Sequence, residues 1–184
     1  MNNLGTTTIE TDRLVLRRIE LSDAQDLAKL LSDKSVLEYL PGIPTGYTTE
    51  MAKGYITKVL EGKYKDNTFY DWAIAEKGLN RLVGRITVYK QDQDRRMADL
   101  VWYVMPECRG KGFVTEAAKA VVKYLQDVGF ERIEAFANIE NSSSQRVMEK
   151  AGFQCEGVLR KYDLRRDGTL YDAKMYSVIK ERDR

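Results

Sequence analysis

The stretch from Leu100 to Val128 constrains the fold of this chain more than any other. A strand-like run, Leu100 to Val104, leads into Arg109-Gly110-Lys111-Gly112, and a helical pattern continues from Phe113 to about Val128. A strand that breaks into a two-glycine loop and then a helix can hold a phosphate. The first N–H groups of a helix have no partner within it, and they carry the positive end of its dipole. Glycine reaches positive φ and lets a ligand approach without a Cβ in the way. The loop therefore predicts a bound phosphate or pyrophosphate. A strand-to-helix turn that merely needs glycine stays open beside that reading.

The rest of the sequence places this unit in one mixed domain. At 184 residues with 43% hydrophobic and 32% charged side chains, the chain has the length and composition of a globular domain with a real core. Its 30 basic and 28 acidic residues are interspersed, which argues against a nucleic-acid groove or a polybasic membrane anchor. No signal-peptide pattern or membrane-spanning run is apparent. Cys108 and Cys155 match no metal or redox spacing, so a cytoplasmic setting and no metal are expected. The absence of histidine removes Ser-His and Cys-His catalysis and any histidine base.

Arg13 to Arg18 alternates leucines with basic residues and reads as an edge or amphipathic strand. Ser22 with Gln25 has capping-box spacing ahead of a helix striped by Leu27, Leu30 and Leu31. The loop Pro41 to Gly46 precedes a second helix, about Thr49 to Gly62, with Met51, Tyr55, Ile56 and Val59 expected inward. Strands are expected at Phe69 to Ala75, Leu82 to Tyr89, Met97 to Met105, Arg132 to Ala137, Phe153 to Leu159 and Leu170 to Ile179. Ser142 to Ala151 reads as a short helix ended by Gly152. A single domain over residues 8–180 follows.

Four segments in order carry a family resemblance. Val104 to Ala117 resembles the coenzyme A loop of the GNAT N-acetyltransferases, whose pattern is Gln/Arg-x-x-Gly-x-Gly/Ala, with Val114 standing where that pattern has Gly or Ala. Asn138 to Phe153, with Asn141, Ser144, Lys150 and Gly152, resembles the same family's Asn-x-x-Ser and Lys-x-Gly-Phe segment. Thr11 to Arg17 and Glu156 to Arg160 are similar to the RimJ/RimL-like branch, which acetylates N-terminal amines of ribosomal proteins.

The resemblance implies an α/β (α+β) GNAT-like fold: a mixed, mostly antiparallel sheet, splayed at the cofactor and flanked by helices. It implies acetyl-CoA as donor, with Arg109, Gly110, Lys111, Gly112, Phe113, Val114 and Thr115 around the pyrophosphate. Backbone groups of the strand holding Trp102 and Val104 would meet the pantetheine, as an added strand would. Asn138, Asn141 and Ser144 would lie along the donor, although Asn141 serves equally as the N-cap of the short helix. Ser144 would support the leaving thiolate, by hydrogen bonding more than by full proton transfer. A backbone N–H near Val104 would polarise the acetyl carbonyl, and Asp99, Glu134 or a water chain ending at either would take the amine's proton, with Asp99 favoured. Tyr39 to Tyr47, the second helix and Tyr162 to Tyr171 are expected to face the acceptor, a protein N-terminal amine.

Other functions stay open at this level. The acceptor is alternatively a small molecule such as a polyamine, an amino acid derivative or an antibiotic. A non-catalytic acyl-CoA-binding sensor is the rival outside enzymes. A P-loop enzyme is disfavoured because no Gly-Lys-Ser/Thr is present. A homodimer is left open.

Overall fold

The computed structural model describes residues 1–181, which form an eight-stranded sheet with helices on both faces. The strands are β1 (Ile9–Glu10), β2 (Leu14–Arg17), β3 (Asp71–Glu76), β4 (Arg81–Asp92), β5 (Met97–Val104), β6 (Arg132–Asn138), β7 (Gln154–Leu164) and β8 (Leu170–Ile179). Their order is β1-β2-β3-β4-β5-β6-β8-β7. Among the described residues, every neighbouring pair is antiparallel except β5 and β6, which run parallel.

The helices are α1 (Ala24–Ser32), α2 (Lys34–Leu37), α3 (Thr49–Tyr55), α4 (Glu61–Lys63), α5 (Phe113–Val128) and α6 (Ser142–Lys150). α5 follows the glycine loop, supplies the crossover that a parallel pair needs, and buries Ala117, Ala118, Val121 and Leu125. Its Tyr124 ring meets Trp72 edge-on at 5.7 Å, while Phe130, just past Gly129, meets Tyr70 at 5.7 Å. Gly129 closes α5 at φ 116°, a conformation costly for a side chain. The opposite face of β3 and β4 meets the α3–α4 segment: Tyr64 donates to Asp71 at 3.1 Å, and Arg85 donates to Tyr55 at 3.0 Å.

Three local expectations need correction. The capping box at the start of α1 is Glu20 with Asp23, not Ser22 with Gln25: Glu20 N–H donates to Asp23 Oδ2 at 2.8 Å. Asp23 takes that position because the buried Arg17 guanidinium also grips it, at 2.7 and 2.9 Å. In the second helix Ala52, Ile56 and Leu60 point inward, whereas Met51 and Val59 are exposed. A π-helical turn at Ile56–Leu60 interrupts the 3.6-residue period there. β7 also runs five residues beyond its expected end at Leu159, because its partner β8 continues the ladder to Leu164↔Leu170.

Gly84 brings β4 close to the C-terminal half of β5. A Cβ at this position would sit 2.7 Å from the Tyr103 carbonyl oxygen and 3.2 Å from Val104 Cα. Both are backbone atoms and cannot swing aside. Gly84→Ala is expected to destabilise the fold by about 1–3 kcal/mol, measured by urea unfolding.

Candidate active site

β5 and β6 begin side by side and then part. Their parallel pairing covers Met97↔Arg132, Ala98↔Ile133 and Asp99↔Glu134, and it stops there. β6 continues to Asn138 against β8, and β5 continues to Val104 against β4. Beyond Asp99 the two strands therefore face each other without a ladder between them. The register identifies which backbone groups line this gap. Met105 N–H donates to Val83 O at 2.9 Å, which makes that a hydrogen-bonded pair. Strict alternation in an antiparallel ladder then turns Val101 and Tyr103 backbone groups toward β4, and those of Leu100, Trp102 and Val104 toward β6. A strand-like amide ligand fits that edge, since buried backbone groups require partners. The Trp102 side chain has a packing role besides, edge-on to Phe153 at 6.4 Å.

The glycine loop sits at the end of the gap. Gly110 and Gly112 adopt φ 74° and 82°, and Gly112 caps α5 without any side-chain hydrogen bond. The first main-chain bond of the helix runs from Glu116 N–H to Gly112 O at 3.0 Å. The N–H groups of Phe113, Val114 and Thr115 thus precede the intrahelical ladder and are available to an anion. The Val114 side chain is buried, so its departure from the family pattern is absorbed by the core and leaves the backbone donor unaffected. Arg109 turns elsewhere: its guanidinium donates to Ser35 Oγ at 2.8 Å, at the start of α2.

Across the gap, Asn141 caps α6 by accepting from Ser144 N–H at 3.0 Å. Ser144 is half-buried in the first turn of that helix. Asn138 closes β6, and its side chain is almost fully buried. Its Oδ1 accepts from Glu140 N–H at 2.8 Å, while its Nδ2 is a buried donor without a partner. Such an orphan donor beside the gap fits an amide-bearing ligand.

The carboxyls of Asp99 and Glu134 meet where the strands part. Burial, a hydrogen bond with Glu134 and repulsion from its charge push Asp99 up to about 6. Arg132 binds Glu134 on one side, and on the other it donates to Glu156 at 2.8 Å. Ser177 Oγ also donates to Glu156, at 2.6 Å. Tyr162 from β7 lies near both carboxyls, which join burial in raising its phenol, and its ring meets Phe136 edge-on at 5.0 Å.

On the sheet face shared by Asp99, Val101 and Tyr103 lies a buried network that the sequence reading missed. Arg85 binds Asp71 through Nε at 2.6 Å and Nη2 at 3.0 Å, and it donates to the hydroxyls of Tyr103 at 3.1 Å and Tyr55 at 3.0 Å. The available signal was a lone charge inside each of two apolar runs, Asp71 between Tyr70 and Trp72 and Arg85 between Gly84 and Ile86. The loop after α2 and the β7–β8 turn come together as well. The Tyr39 and Tyr171 rings meet edge-on at 6.3 Å, and Arg166 donates to the carbonyls of Leu37, Leu40 and Ile43.

Comparison with known proteins agrees with this architecture. The sequence model of the acetyltransferase (GNAT) domain matches residues 13–154. The uncharacterized N-acetyltransferase YoaA of Bacillus subtilis (strain 168) is 34% identical over 176 residues, covering 95% of this chain and 98% of the relative. Two crystal structures share the fold. The ribosomal-protein-S5-alanine acetyltransferase from Vibrio fischeri superposes with a TM-score of 0.81 at 21% identity, over 94% of this chain and 96% of its own. The microcin C7 self-immunity acetyltransferase MccE, in complex with acetyl-CoA and AMP, gives 0.80 at 20% identity, over 92% and 93%. The parted sheet, the open-ended helix behind its glycine loop and these likenesses together place the chain in the GNAT family, as an N-acetyltransferase.

Proposed function

We propose that the chain transfers acetyl from acetyl-CoA directly to a primary amine, in a ternary complex, and that the amine is a protein N-terminus. The parting of β5 and β6 carries this reading, because it offers one edge of unpaired backbone between a phosphate-binding helix start and a carboxyl couple. The GNAT match supports acetyl-CoA as donor, and MccE is described with that molecule bound. The pyrophosphate goes to Gly110, Lys111, Gly112, Phe113, Val114 and Thr115, mainly on backbone N–H groups. Arg109 contributes through Ser35 to the loop's anchorage instead of through a direct charge. Pantetheine amides take the Trp102 carbonyl, the free backbone groups of Val104 and the orphan donor of Asn138.

Strand spacing favours one of the two N–H groups that can polarise the acetyl carbonyl. Val104 is five residues from Asp99, roughly 16 Å along an extended strand, and Trp102 is three residues away, roughly 10 Å. Trp102 N–H leaves room for only a short water chain to the carboxyl couple, so it holds the carbonyl in this reading. The amine nitrogen forms a bond to the acetyl carbon, its proton passes through water to Asp99, and the C–S bond breaks with the electron pair left on sulfur. Ser144 hydrogen-bonds that thiolate.

Asp99 must be ionised to accept the proton. kcat/KM should rise with pH through about 6, with a second limb near 8 where a peptide α-amine loses its own proton. Asp99→Asn should remove the lower limb and reduce the rate by about 100-fold; an unchanged profile would transfer the role to another group.

Ser144→Ala should lower kcat by roughly 10- to 100-fold and leave acetyl-CoA affinity within about twofold. Steady-state kinetics paired with calorimetry checks this, and an equal loss in both would mark a structural serine.

The acceptor assignment draws on the resemblance to the RimJ/RimL branch and on the Vibrio fischeri neighbour, named for alanine acetylation of a ribosomal protein. Mass spectrometry of products from a peptide panel and a panel of polyamines, amino acids and antibiotics tests it. Peptide N-termini should be acetylated with the higher kcat/KM. Preference for small amines would overturn the protein acceptor, and donor binding without turnover on either panel would indicate a sensor.

A further inference from the structure

The Thr11-Asp12-Arg13 segment has no part in the transfer chemistry above, yet the fold carries it to the phosphate loop. Thr11 to Arg13 forms the turn between β1 and β2, with Thr11 N–H on Leu14 O at 3.0 Å and Leu14 N–H on Thr11 Oγ1 at 3.0 Å. This turn docks on Glu116, a carboxylate in the first turn of α5. Glu116 Oε1 accepts from Thr11 Oγ1 at 2.6 Å and from Arg13 N–H at 2.9 Å, and Oε2 pairs with Arg13 Nε and Nη2, both at 2.7 Å.

A carboxylate in that turn suits an isolated helix, whose N-terminus is positive. It works against a helix whose N-terminus must receive an anion, because both negative charges compete for the same field. Here the carboxylate is fully engaged. Partial burial raises its pKa, but the hydrogen bonds from Thr11 and Arg13 outweigh that and hold it below the ordinary carboxylate value.

Arg13 makes a further contact on the loop itself. Its Nη1 donates to the Lys111 carbonyl at 2.9 Å, and its guanidinium lies 5.0 Å from the Phe113 ring centroid. In a planar trans peptide the C=O and the following N–H point in opposite directions. Holding Lys111 C=O therefore turns Gly112 N–H away from Arg13. Gly112 itself holds φ 82°, a conformation that favours glycine, with Arg13 Nη2 in ordinary contact distance of where a Cβ would sit.

We propose that Arg13 is a positioning residue of the donor site: it neutralises Glu116 and fixes the Lys111–Gly112 peptide so that the loop presents its N–H groups to the pyrophosphate. This inference rests on the reading of Arg109 to Thr115 as the pyrophosphate loop. The guanidinium fork matters because one group must bind a carboxylate and a carbonyl together, which a lysine ammonium does with poorer geometry.

The experiment measures acetyl-CoA dissociation constants by calorimetry for the wild type, Arg13→Gln, Arg13→Lys and the double variant Arg13→Gln/Glu116→Gln, alongside thermal unfolding of each without ligand. Arg13→Gln should weaken acetyl-CoA roughly tenfold, the scale of one charge-assisted interaction. Removing the unpaired carboxylate in the double variant should recover part of that loss, and Arg13→Lys should fall between the wild type and Arg13→Gln. Unchanged affinity in Arg13→Gln overturns the proposal. So does a loss that Glu116→Gln does not relieve, since a merely structural contact behaves that way. If Arg13→Gln fails to fold, Arg13→Lys alone decides, and wild-type affinity in that variant overturns the proposal. Absence of acetyl-CoA binding by the wild type would instead strike the donor reading on which the inference stands.

Discussion

Much of this molecule is arranged around hydrogen bonds that one pair of strands does not make. β5 and β6 share three residue pairs and then separate, so the facing edge of β5 keeps N–H and C=O groups that a continuous sheet would satisfy. At the half-buried Trp102 and Val104 those groups are left to water or to a ligand. The surrounding elements tolerate the separation because each strand is fully paired on its other side, β5 with β4 and β6 with β8. Gly84 tightens the first of those pairings, and the long β6–β8 ladder secures the second.

The same parting organises the charges. At its apex Asp99 and Glu134 are brought face to face by register, and burial, together with a hydrogen bond with Glu134 and the charge of Glu134, pushes Asp99 up to about 6. Arg132 engages Glu134 and is itself shared with Glu156. Asp99 is thereby the member of the couple best suited to exchange a proton near neutral pH. At the far end the field has the opposite sign, with the start of α5 and its uncapped N–H groups. An anionic donor with a neutral, strand-like tail matches this polarity along its length.

What could be read in the sequence was the chemistry of contiguous residues. The glycine loop, the Asn141 cap with Ser144 three residues on, and the alternation of Leu14 and Leu16 each depend on local periods. The mixed, mostly antiparallel sheet followed from those pieces and the family resemblance, while the short edge strand β1 did not. What escaped depends on register between distant segments. Nothing local to Arg17 shows that it would draw Asp23 into the capping position, and nothing local to Asp71 shows that Arg85 would neutralise it. Ile56 faces inward as expected, but the π-turn that begins there adds a residue to the period, which places Leu60 inside and Val59 outside. The direction of Arg109 toward Ser35 depended on where α2 begins, and no motif encodes that.

The short β5–β6 pairing has a consequence for the mechanics of the chain. Within the described residues the sheet is two antiparallel blocks, the meander β1 to β5 and the group β6-β8-β7, stitched by three residue pairs and bridged by α5. Such a seam is where a sheet opens at the lowest free energy, short of global unfolding. In the proposed reading, a donor lying in the gap bonds to both blocks and supplies rungs between them. The donor is then part of the architecture as well as a reactant. Binding there would stabilise the seam by mass action, and release would leave it to its three residue pairs.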